Sequence, residues 1–579
     1  MGIRTLTKRP LEALPLRPSL FTSSLPGDAT NSTSPQFTRI SRPVMAHYAF
    51  VHPEPAPDPV LLSASTQAAT TIDLDPASLT TPLSLNIFSG ESILPDTHPW
   101  ALNYAGHQFS MFAGQLGDGR AISLFETQTK QGERWELQLK GAGRTPFSRF
   151  GDGYAVLRSS IREYLASEHL AALGIPTTRA LALIGSSRQV YREDSSAKQP
   201  ERGAVLVRLA PSWIRFGNFE LFYSRDDMNG VRQLADYCVD NVLPSESTTH
   251  PGNKYAQLFI NIAKRTATMV AGWQANGFNH GVMNTDNMSI LGLSLDYGPF
   301  QILDYYDPSY ICNHSDEQGQ YAFKRQPTVC IYNLFKLGVP LFELIGAGDK
   351  VDTLVYGKKD SNETVTDAAT RQAYREAGKE YVTKIVGEDF TDWFMEALDD
   401  KMRAKLGLTR REEGTMSDVI IPLLDWATEY EVDYHRFFRS LSKYQMTAEG
   451  EDVDNERAAK HDLDVKTKNP EKQDDCQQAL IPWLAIYRHR LQQEDQQQAN
   501  RQLRMDAVNP RFVLRNWIAQ EVIDAFDTME ETDAKAVLDA CLYACSHPYQ
   551  AKYDQDIIER WIETPVPTWG QDLKCSCSS

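Results

Sequence analysis

Two patterns of apolar residues divide this chain. Residues 135–139 alternate apolar and polar positions, as a half-buried strand does, and residues 204–209 form a second strand-like run. Residues 157–173 and 256–276 instead carry apolar stripes at helical spacing. After about residue 330 the pattern stays helical. The sequence therefore predicts an α+β fold, with strands and helices in the N-terminal half and a mostly helical C-terminal half.

The segments outside these patterns are expected to be loops. Residues 18–60 are rich in Ser, Thr and Pro, so we expect folded structure to begin near residue 85. Residues 192–202 are polar and lie between strand-like runs, as the tip of a hairpin would. Residues 449–475 are charged and poor in apolar side chains, which favours a solvated loop or linker.

Composition narrows the class of protein. The 579 residues include 59 basic and 76 acidic side chains, a net charge of −17, which argues against a nucleic-acid partner. No apolar run reaches the ~18–20 residues of a membrane span, so no membrane partner is predicted. The eight cysteines are too sparse for a secreted disulfide framework and show no zinc-binding spacing. The sequence carries no indication of oligomeric state.

The first 17 residues are basic and nearly free of acids. Arg4, Lys8, Arg9 and Arg17 stand against the single acid Glu12, with leucines between them. This composition is typical of a mitochondrial targeting peptide. A disordered tail on a cytoplasmic protein has the same composition, and both interpretations stay open.

A glycine-rich segment and the strand after it contain candidate phosphate-binding groups. Gly117, Gly119 and Arg120 lie in a run whose glycines would let backbone amides approach phosphate oxygens, although a simple turn has the same pattern. Lys140 ends the strand at 135–139, where its ammonium could reach a phosphate or remain solvated. Asp152-Gly153 is a typical turn pair.

Three charged residues could complete such a site. Glu163 lies on the helix at 157–173 and could pair with Lys140, but it points about 200° away from the helix's apolar stripe, so a solvated glutamate is the alternative. Arg208 and Arg215 could clamp a phosphate chain, or they could be surface ion-pair partners.

The segment from His280 to Gly298 contains most of the candidate chemistry. Asp286 and Asn287 are adjacent, and Asp296 begins an Asp-aromatic-Gly triplet, much as in the catalytic and metal-binding loops of protein kinases. Asn and Asp oxygens suit Mg²⁺, and Asp286 would then be left to accept a proton. The spacing departs from ordinary kinases, in which the metal-binding Asn follows several residues later. A pair of Asx-rich turns is the alternative.

Taken together, these segments resemble the selenoprotein O family. The resemblance extends from about residue 18 to the end, and Cys577 matches the place of the selenocysteine in animal members. Its motifs are residues 104–109, 114–120, 139–143, 174–180, 280–291, 509–516 and 577–579.

The resemblance implies a two-lobed protein-kinase-like fold and a protein adenylyltransferase. Such an enzyme transfers AMP from ATP to Ser, Thr or Tyr hydroxyls of protein substrates, with ATP reversed relative to ordinary kinases. The alternatives are a protein or small-molecule phosphotransferase and a non-catalytic pseudokinase scaffold. By resemblance, Asp286 is the proton acceptor, Lys140 and Glu163 form the catalytic ion pair, Asn287 and Asp296 bind Mg²⁺, and Cys577 mediates redox control. The implied ATP-binding residues are Gly117, Gly119, Arg120, Lys140, Asp152, Gly153, Arg208, Arg215 and Asp296.

The same resemblance suggests a division of the chain. The predicted regions are an N-terminal extension with the targeting segment (1–45), a nucleotide-binding N-lobe (46–225), a helical C-lobe with the catalytic and metal loops (226–450), a charged linker or loop (451–475) and a helical extension with a Cys-containing tail (476–579).

Overall fold

The computed structural model has the α+β composition that the sequence predicts, with its strands concentrated in the N-terminal half and helices throughout the C-terminal half. It describes residues 8–17, 19–29, 39–192, 199–244, 251–357, 365–447, 451–494, 498–571 and 573–574.

An antiparallel sheet forms the N-terminal half. Its strands and those of two small ladders are β1 Leu16–Arg17, β2 Tyr48–Phe50, β3 Val60–Ala64, β4 Trp100–Leu102, β5 His107–Gln108, β6 Met111–Phe112, β7 Ala121–Gln128, β8 Arg134–Lys140, β9 Ala155–Val156, β10 Arg179–Val190, β11 Glu201–Ala210, β12 Phe278–Asn279 and β13 Gln301–Ile302. The sheet order is β2-β4-β7-β8-β11-β10-β3, with β1 beside β7 and β9 beside β11. The ladders β5–β6 and β12–β13 are separate.

The register of β8 and β11 places the polar side chains of both strands on one face. Lys140 pairs with Leu206 and Gln138 pairs with Arg208, so Gln138, Lys140 and Arg208 share a face because side chains alternate along a strand. Leu137 and Leu139, on the opposite face, belong to an apolar core formed with the N-terminal helices. The alternation of side chains along β8 and β11 therefore buries one face of the sheet in this apolar core and turns the polar face toward the rest of the molecule.

Helices make up most of the remaining structure, and two hydrophobic cores hold them together. One core joins the sheet to the central and C-terminal helices, and the other lies among residues 275–505. The helices are α1 Leu20–Ser24, α2 Thr66–Thr71, α3 Pro82–Phe88, α4 Leu157–Ala172, α5 Phe216–Ser224, α6 Met228–Tyr237, α7 Lys254–Ala275, α8 Gln326–Gly346, α9 Ala368–Lys384, α10 Phe390–Leu406, α11 Ile421–Glu429, α12 Tyr434–Leu441, α13 Glu451–Arg457, α14 Gln473–Gln492, α15 Gln498–Asp506, α16 Asn516–Thr528, α17 Glu531–Ser546 and α18 Asp556–Glu563.

The N-terminal segment is part of the fold, contrary to the expectation that folding begins near residue 85. Strand β1 pairs with β7. Leu11 and Leu14 are buried, and the ring of Phe21 stacks on that of Trp100 at 4.9 Å between centroids. A targeting peptide cleaved within residues 8–29 would therefore remove side chains from the core.

The charged region predicted as a linker or loop at 451–475 is largely helical. Helix α13 is followed by π-helical turns at Ala458–Asp462. Asp454 is fully buried, where its carboxylate accepts hydrogen bonds from Thr447 and, at 2.6 Å, from Arg488. The polar composition misled the prediction because these partners lie on other segments.

One helical segment departs from the expectation that no apolar run is long enough to span a membrane. Phe323–Gly346 is long and apolar enough by composition to cross a membrane. The fold buries 67% of its most apolar window, as it does for a core helix, so this segment is weak evidence for a membrane span.

Candidate active site

A cavity of about 700 Å³ lies between the polar face of the sheet and the helical half. Residues from the sheet, from α4 and from the 280–298 segment line it. Most of the predicted site residues are therefore brought together in one cleft. They are Gly117, Gly119, Arg120, Lys140, Asp152, Gly153, Glu163, Arg208, Arg215, Asn287 and Asp296.

Three cations converge on the carboxylate of Asp296. Lys140 Nζ lies 2.9 Å from Oδ1, Arg208 Nη1 lies 2.6 Å from Oδ1, and Arg215 Nη1 lies 2.8 Å from Oδ2. Burial raises the pKa of this carboxyl, but the three cations outweigh it and hold the pKa well below its ordinary value. Asp296 also has φ +58°, a left-handed conformation that is uncommon outside glycine.

Glu163 is buried and paired, so the alternative of a solvated glutamate is wrong. It is 4% exposed, and its Oε2 lies 2.6 Å from Lys140 Nζ while its Oε1 accepts from Arg208 Nη1 at 2.9 Å. The helical stripe could not reveal this, because α4 is buried on nearly all sides between the sheet and other helices.

Aromatic rings hold the two arginines. The guanidinium of Arg208 lies 4.5 Å from the Trp213 ring centroid, and that of Arg215 lies 4.5 Å from the Tyr104 ring centroid. Both arginines are at most 2% exposed. Such stacking fixes the planar groups in the low-dielectric interior, where their interactions with anions are strong.

The carboxylate of Asp286 lies beside this cluster, although it does not line the cavity. Its backbone carbonyl accepts from Arg215 Nη1 at 2.9 Å, and its Oδ2 accepts from Gln108 Nε2 at 3.2 Å. Oδ1 is buried without a hydrogen-bond partner among the described residues. Burial raises the pKa of Asp286 to about 7, and the hydrogen bond from Gln108 opposes that rise.

The segment 104–109 supports Asp286, a function that the sequence did not assign to any of its residues. A Cβ atom on Gly106 would overlap Asp286 Oδ1, so the glycine is required by close approach. The backbone amide of His107 donates to Thr285 Oγ1 at 2.7 Å, and Thr285 donates to Glu220 at 2.6 Å. The only sequence signal for these contacts is the family motif at 104–109.

The glycine-rich part of the cleft has the backbone shape that the sequence suggests. Gly117 and Gly153 both have left-handed φ values, +90° and +82°, and a Cβ atom at Gly153 would collide with the backbone of Gly143. The carboxylate of Asp152 lies at the cavity edge, where Arg192 donates to it at 2.8 and 3.2 Å. Arg192 also lines the cavity. It was missed from the sequence because it begins the polar segment 192–202, which was predicted to be a loop between two strands.

Asn287 and Asp296 both line the cavity and carry side-chain oxygens of the kind that hard cations bind. The Asn287 side-chain nitrogen donates to the carbonyl of Val282 at 3.1 Å, which leaves its oxygen available. No cluster of three or more His, Cys, Asp or Glu side chains with metal-binding geometry occurs in the described part of the chain. The arrangement suits a hard cation held by two side chains together with substrate phosphates. Cys577 lies outside the described residues.

A cleft with cations, a glycine-rich edge and a partly desolvated carboxylate defines a candidate site for transfer of a phosphate-containing group. The sequence profile described as protein adenylyltransferase SelO matches residues 33–542, and the chain therefore belongs to this family.

Bacterial relatives named protein nucleotidyltransferase YdiU match nearly the whole chain. The relative from Myxococcus xanthus is 41% identical over 531 residues, which is 91% of this chain and 95% of that protein. The relative from Cupriavidus metallidurans is 41% identical over 572 residues, which is 98% of this chain and 95% of that protein.

Proposed function

We propose that this protein is a Mg²⁺-dependent adenylyltransferase that moves AMP from ATP to Ser, Thr or Tyr hydroxyls of protein substrates. The observation that carries the proposal is the convergence of Lys140, Arg208 and Arg215 beside Asp286. Two buried arginines and a partly buried lysine suit a polyphosphate. A neighbouring carboxylate with a pKa near neutrality suits proton transfer from a hydroxyl. The family and the names of its relatives support the same reaction.

The proposed fold is protein-kinase-like, with the cavity between two lobes. A strand lysine paired with a helix glutamate, as Lys140 is with Glu163, supports this assignment. So does the Asp-aromatic-Gly triplet that begins at Asp296, which follows the proposed catalytic loop.

Within this proposal the cavity residues divide by chemistry. Lys140 and the two arginines bind the phosphate chain, and Glu163 positions Lys140. The glycine-rich edge and the turn across from it contact the remainder of the nucleotide through Gly117, Gly119, Arg120, Asp152 and Gly153. Asn287 and Asp296 would hold Mg²⁺, which supplies charge neutralisation on the phosphates when it is bound.

Transfer then requires in-line attack on the α-phosphorus. The acceptor hydroxyl oxygen forms a bond to that phosphorus while its proton passes to the carboxylate of Asp286, whose pKa of about 7 suits a proton acceptor. The bond from the α-phosphorus to the oxygen bridging to the β-phosphate breaks, and pyrophosphate leaves with the bonding electrons. Positioning and charge neutralisation supply most of the rate enhancement.

Two labelled forms of ATP test the proposal. After incubation of the full chain with Mg²⁺, label on the α-phosphate should become attached to protein and label on the γ-phosphate should not. Transfer of the γ label would instead identify a phosphotransferase. ATP binding without any transfer, together with unchanged behaviour of Asp296→Ala, would identify a scaffold.

Redox control through Cys577 is also part of the proposal. The nearest described residues are tied to the body of the protein: the carbonyl of Leu573 accepts from Asn516 Nδ2 at 3.4 Å, and the Lys574 ammonium lies 5.9 Å from the Tyr310 ring centroid. These contacts attach Leu573 and Lys574 to Asn516 and Tyr310. AMP transfer should differ between reducing and oxidising buffer, and Cys577→Ser should remove the difference.

A further inference from the structure

Strands β5 and β6 form a small hairpin whose turn has an unusual backbone. The two turn residues, Phe109 and Ser110, have φ values of +46° and +66°. Two-residue hairpin turns with positive φ at both positions favour Asn-Gly or Gly-Gly, so a bulky aromatic residue there is strained. Strain of this kind persists only where surrounding contacts maintain it, and it is concentrated at functional sites.

Contacts from the C-terminal half fix this turn in place. The Phe109 amide donates to Tyr321 Oη at 3.0 Å, and the rings of these two residues lie 5.0 Å apart. Gln320 Nε2 donates to Ser110 Oγ at 2.9 Å, and Tyr332 Oη donates to the Ser110 carbonyl at 3.3 Å. The turn is therefore held against both the segment that precedes α8 and α8 itself.

The hairpin nevertheless exposes apolar side chains. Phe109 is 37% exposed, Met111 is 76% exposed and Phe112 is 44% exposed. Isolated exposed apolar residues are ordinary, but three within four residues on an anchored turn make this turn a candidate interaction site. We call residues 109–112 the hairpin tip.

The hairpin tip lies next to the proposed proton acceptor. Gln108, the residue before the tip, donates to Asp286 Oδ2, and it pairs across the hairpin with Met111. The length of the Gln108 side chain and the spacing between the two paired strands together put Met111 about 10 Å from the Asp286 carboxylate. An extended peptide covers that distance in about three residues.

We propose that the hairpin tip docks the acceptor protein, binding an extended segment that carries an apolar side chain about three residues from the acceptor hydroxyl. This inference rests on the proposed function, because the acceptor hydroxyl must approach Asp286. Gly106 closes one side of that carboxylate and Gln108 borders the other. A segment entering past Gln108 would lie on Met111 and Phe112.

The test uses two fluorescent ten-residue peptides and the full-length chain with Mg²⁺ and a non-hydrolysable ATP analogue. Both peptides have a central Ser in a Gly/Ala background. The third position on each side of the Ser is Leu in one peptide and Asp in the other. Binding is measured by fluorescence anisotropy for wild type, Met111→Glu and Phe112→Ser. Leu503→Glu is the control, because Leu503 is similarly exposed, 71%, on α15 away from the cleft.

Wild type and the control should bind the Leu peptide about tenfold more tightly than the Asp peptide, as burial of an apolar side chain predicts. Met111→Glu and Phe112→Ser should reduce this preference below about threefold. With α-labelled ATP, both variants should raise the KM for the Leu peptide several-fold and leave the KM for ATP unchanged.

Three results would overturn the docking proposal: no preference in wild type, an undiminished preference in the tip variants, or an equal loss in the Leu503 control. Because peptide binding is measured without AMP transfer, failure of the proposed function can be distinguished from failure of the docking proposal. A tip-dependent preference without any AMP transfer would refute the adenylyltransferase assignment and leave the docking surface supported.

Discussion

The carboxylate of Asp296 neutralises three cations, and Asp296→Asn isolates that function. Asparagine preserves the size of the side chain and one acceptor oxygen but removes the charge. Lys140 and Arg208 would then keep Glu163 as a contacting carboxylate. Arg215 would keep Asp118, whose Oδ1 lies 4.0 Å from Arg215 Nη2. The substitution should destabilise the nucleotide-free protein and should strengthen metal-free binding of a polyphosphate anion.

The expected size follows from burial. Removing one partner from a buried ion pair costs about 3–5 kcal/mol, and the lower end applies because Asp296 is 20% exposed. A chain of 579 residues has an unfolding entropy of about 1.2 kcal/mol per kelvin, so a loss of about 3 kcal/mol lowers Tm by about 2–3 °C if unfolding is cooperative. With ATP in EDTA, the variant's Tm should rise more than the wild type's, because the phosphates no longer meet Asp296.

Differential scanning fluorimetry with and without ATP in EDTA measures both effects, and α-labelled ATP with Mg²⁺ measures transfer, which should be lost. Asp152→Asn is the control for the stability change without ATP, since this carboxylate is 39% exposed and its pairing with Arg192 is worth about 1 kcal/mol or less. The reasoning is refuted if Asp296→Asn is as stable as wild type, or if it binds metal-free ATP more weakly.

Three further predictions concern the groups around this cluster. Because Asp286 must be ionised to accept a proton, transfer should increase as pH rises through about 7, and Asp286→Asn should retain ATP binding but lose transfer at every pH; a flat pH profile would exclude Asp286 as the acceptor. Gln108→Leu removes a hydrogen bond that favours the carboxylate, so the pH–rate profile should move about one pH unit upward, whereas an unmoved profile with lower activity would indicate a structural role alone. Asn516→Ala leaves the buried guanidinium of Arg162 without its 3.1 Å acceptor, and urea unfolding should show a loss of about 1–3 kcal/mol, while Asn516→Asp, which keeps an acceptor oxygen, should lose less.

The Arg162 contact links elements far apart in sequence. Arg162 precedes Glu163 on α4, and its other guanidinium nitrogen donates to the Phe300 carbonyl at 2.9 Å. Asn516 also donates to Gln301 Oε1 at 3.0 Å. The family motif at 509–516 therefore ties α4 to the chain that follows Asp296. Its function could not be assigned from sequence, because Arg162 and Gln301, the partners that make this link, both lie more than 200 residues from Asn516.

Local patterns were sufficient for the main strands and helices near the site. The alternation at 135–139 lies within β8, and the stripes at 157–173 and 256–276 correspond to α4 and α7 within one or two residues. These elements are predictable because apolar residues recur along each of them at the period of a strand or a helix. The candidate site residues were identified through the long family motifs. Short segments with glycine, lysine or aspartate could not by themselves be distinguished from ordinary turns.

The sequence by itself determined which side chains could take part and which elements carry them. Periodicity left Glu163 open between solvent and Lys140, and only the family resemblance implied the pair that the tertiary structure shows. Tertiary structure alone decided that Gln108 reaches Asp286 and that the charged region around Asp454 is packed helix. The physical reason is the same in each case. A charged or polar side chain is stable in the interior only when its partner is supplied, and these partners come from segments that sequence periodicity cannot relate to one another.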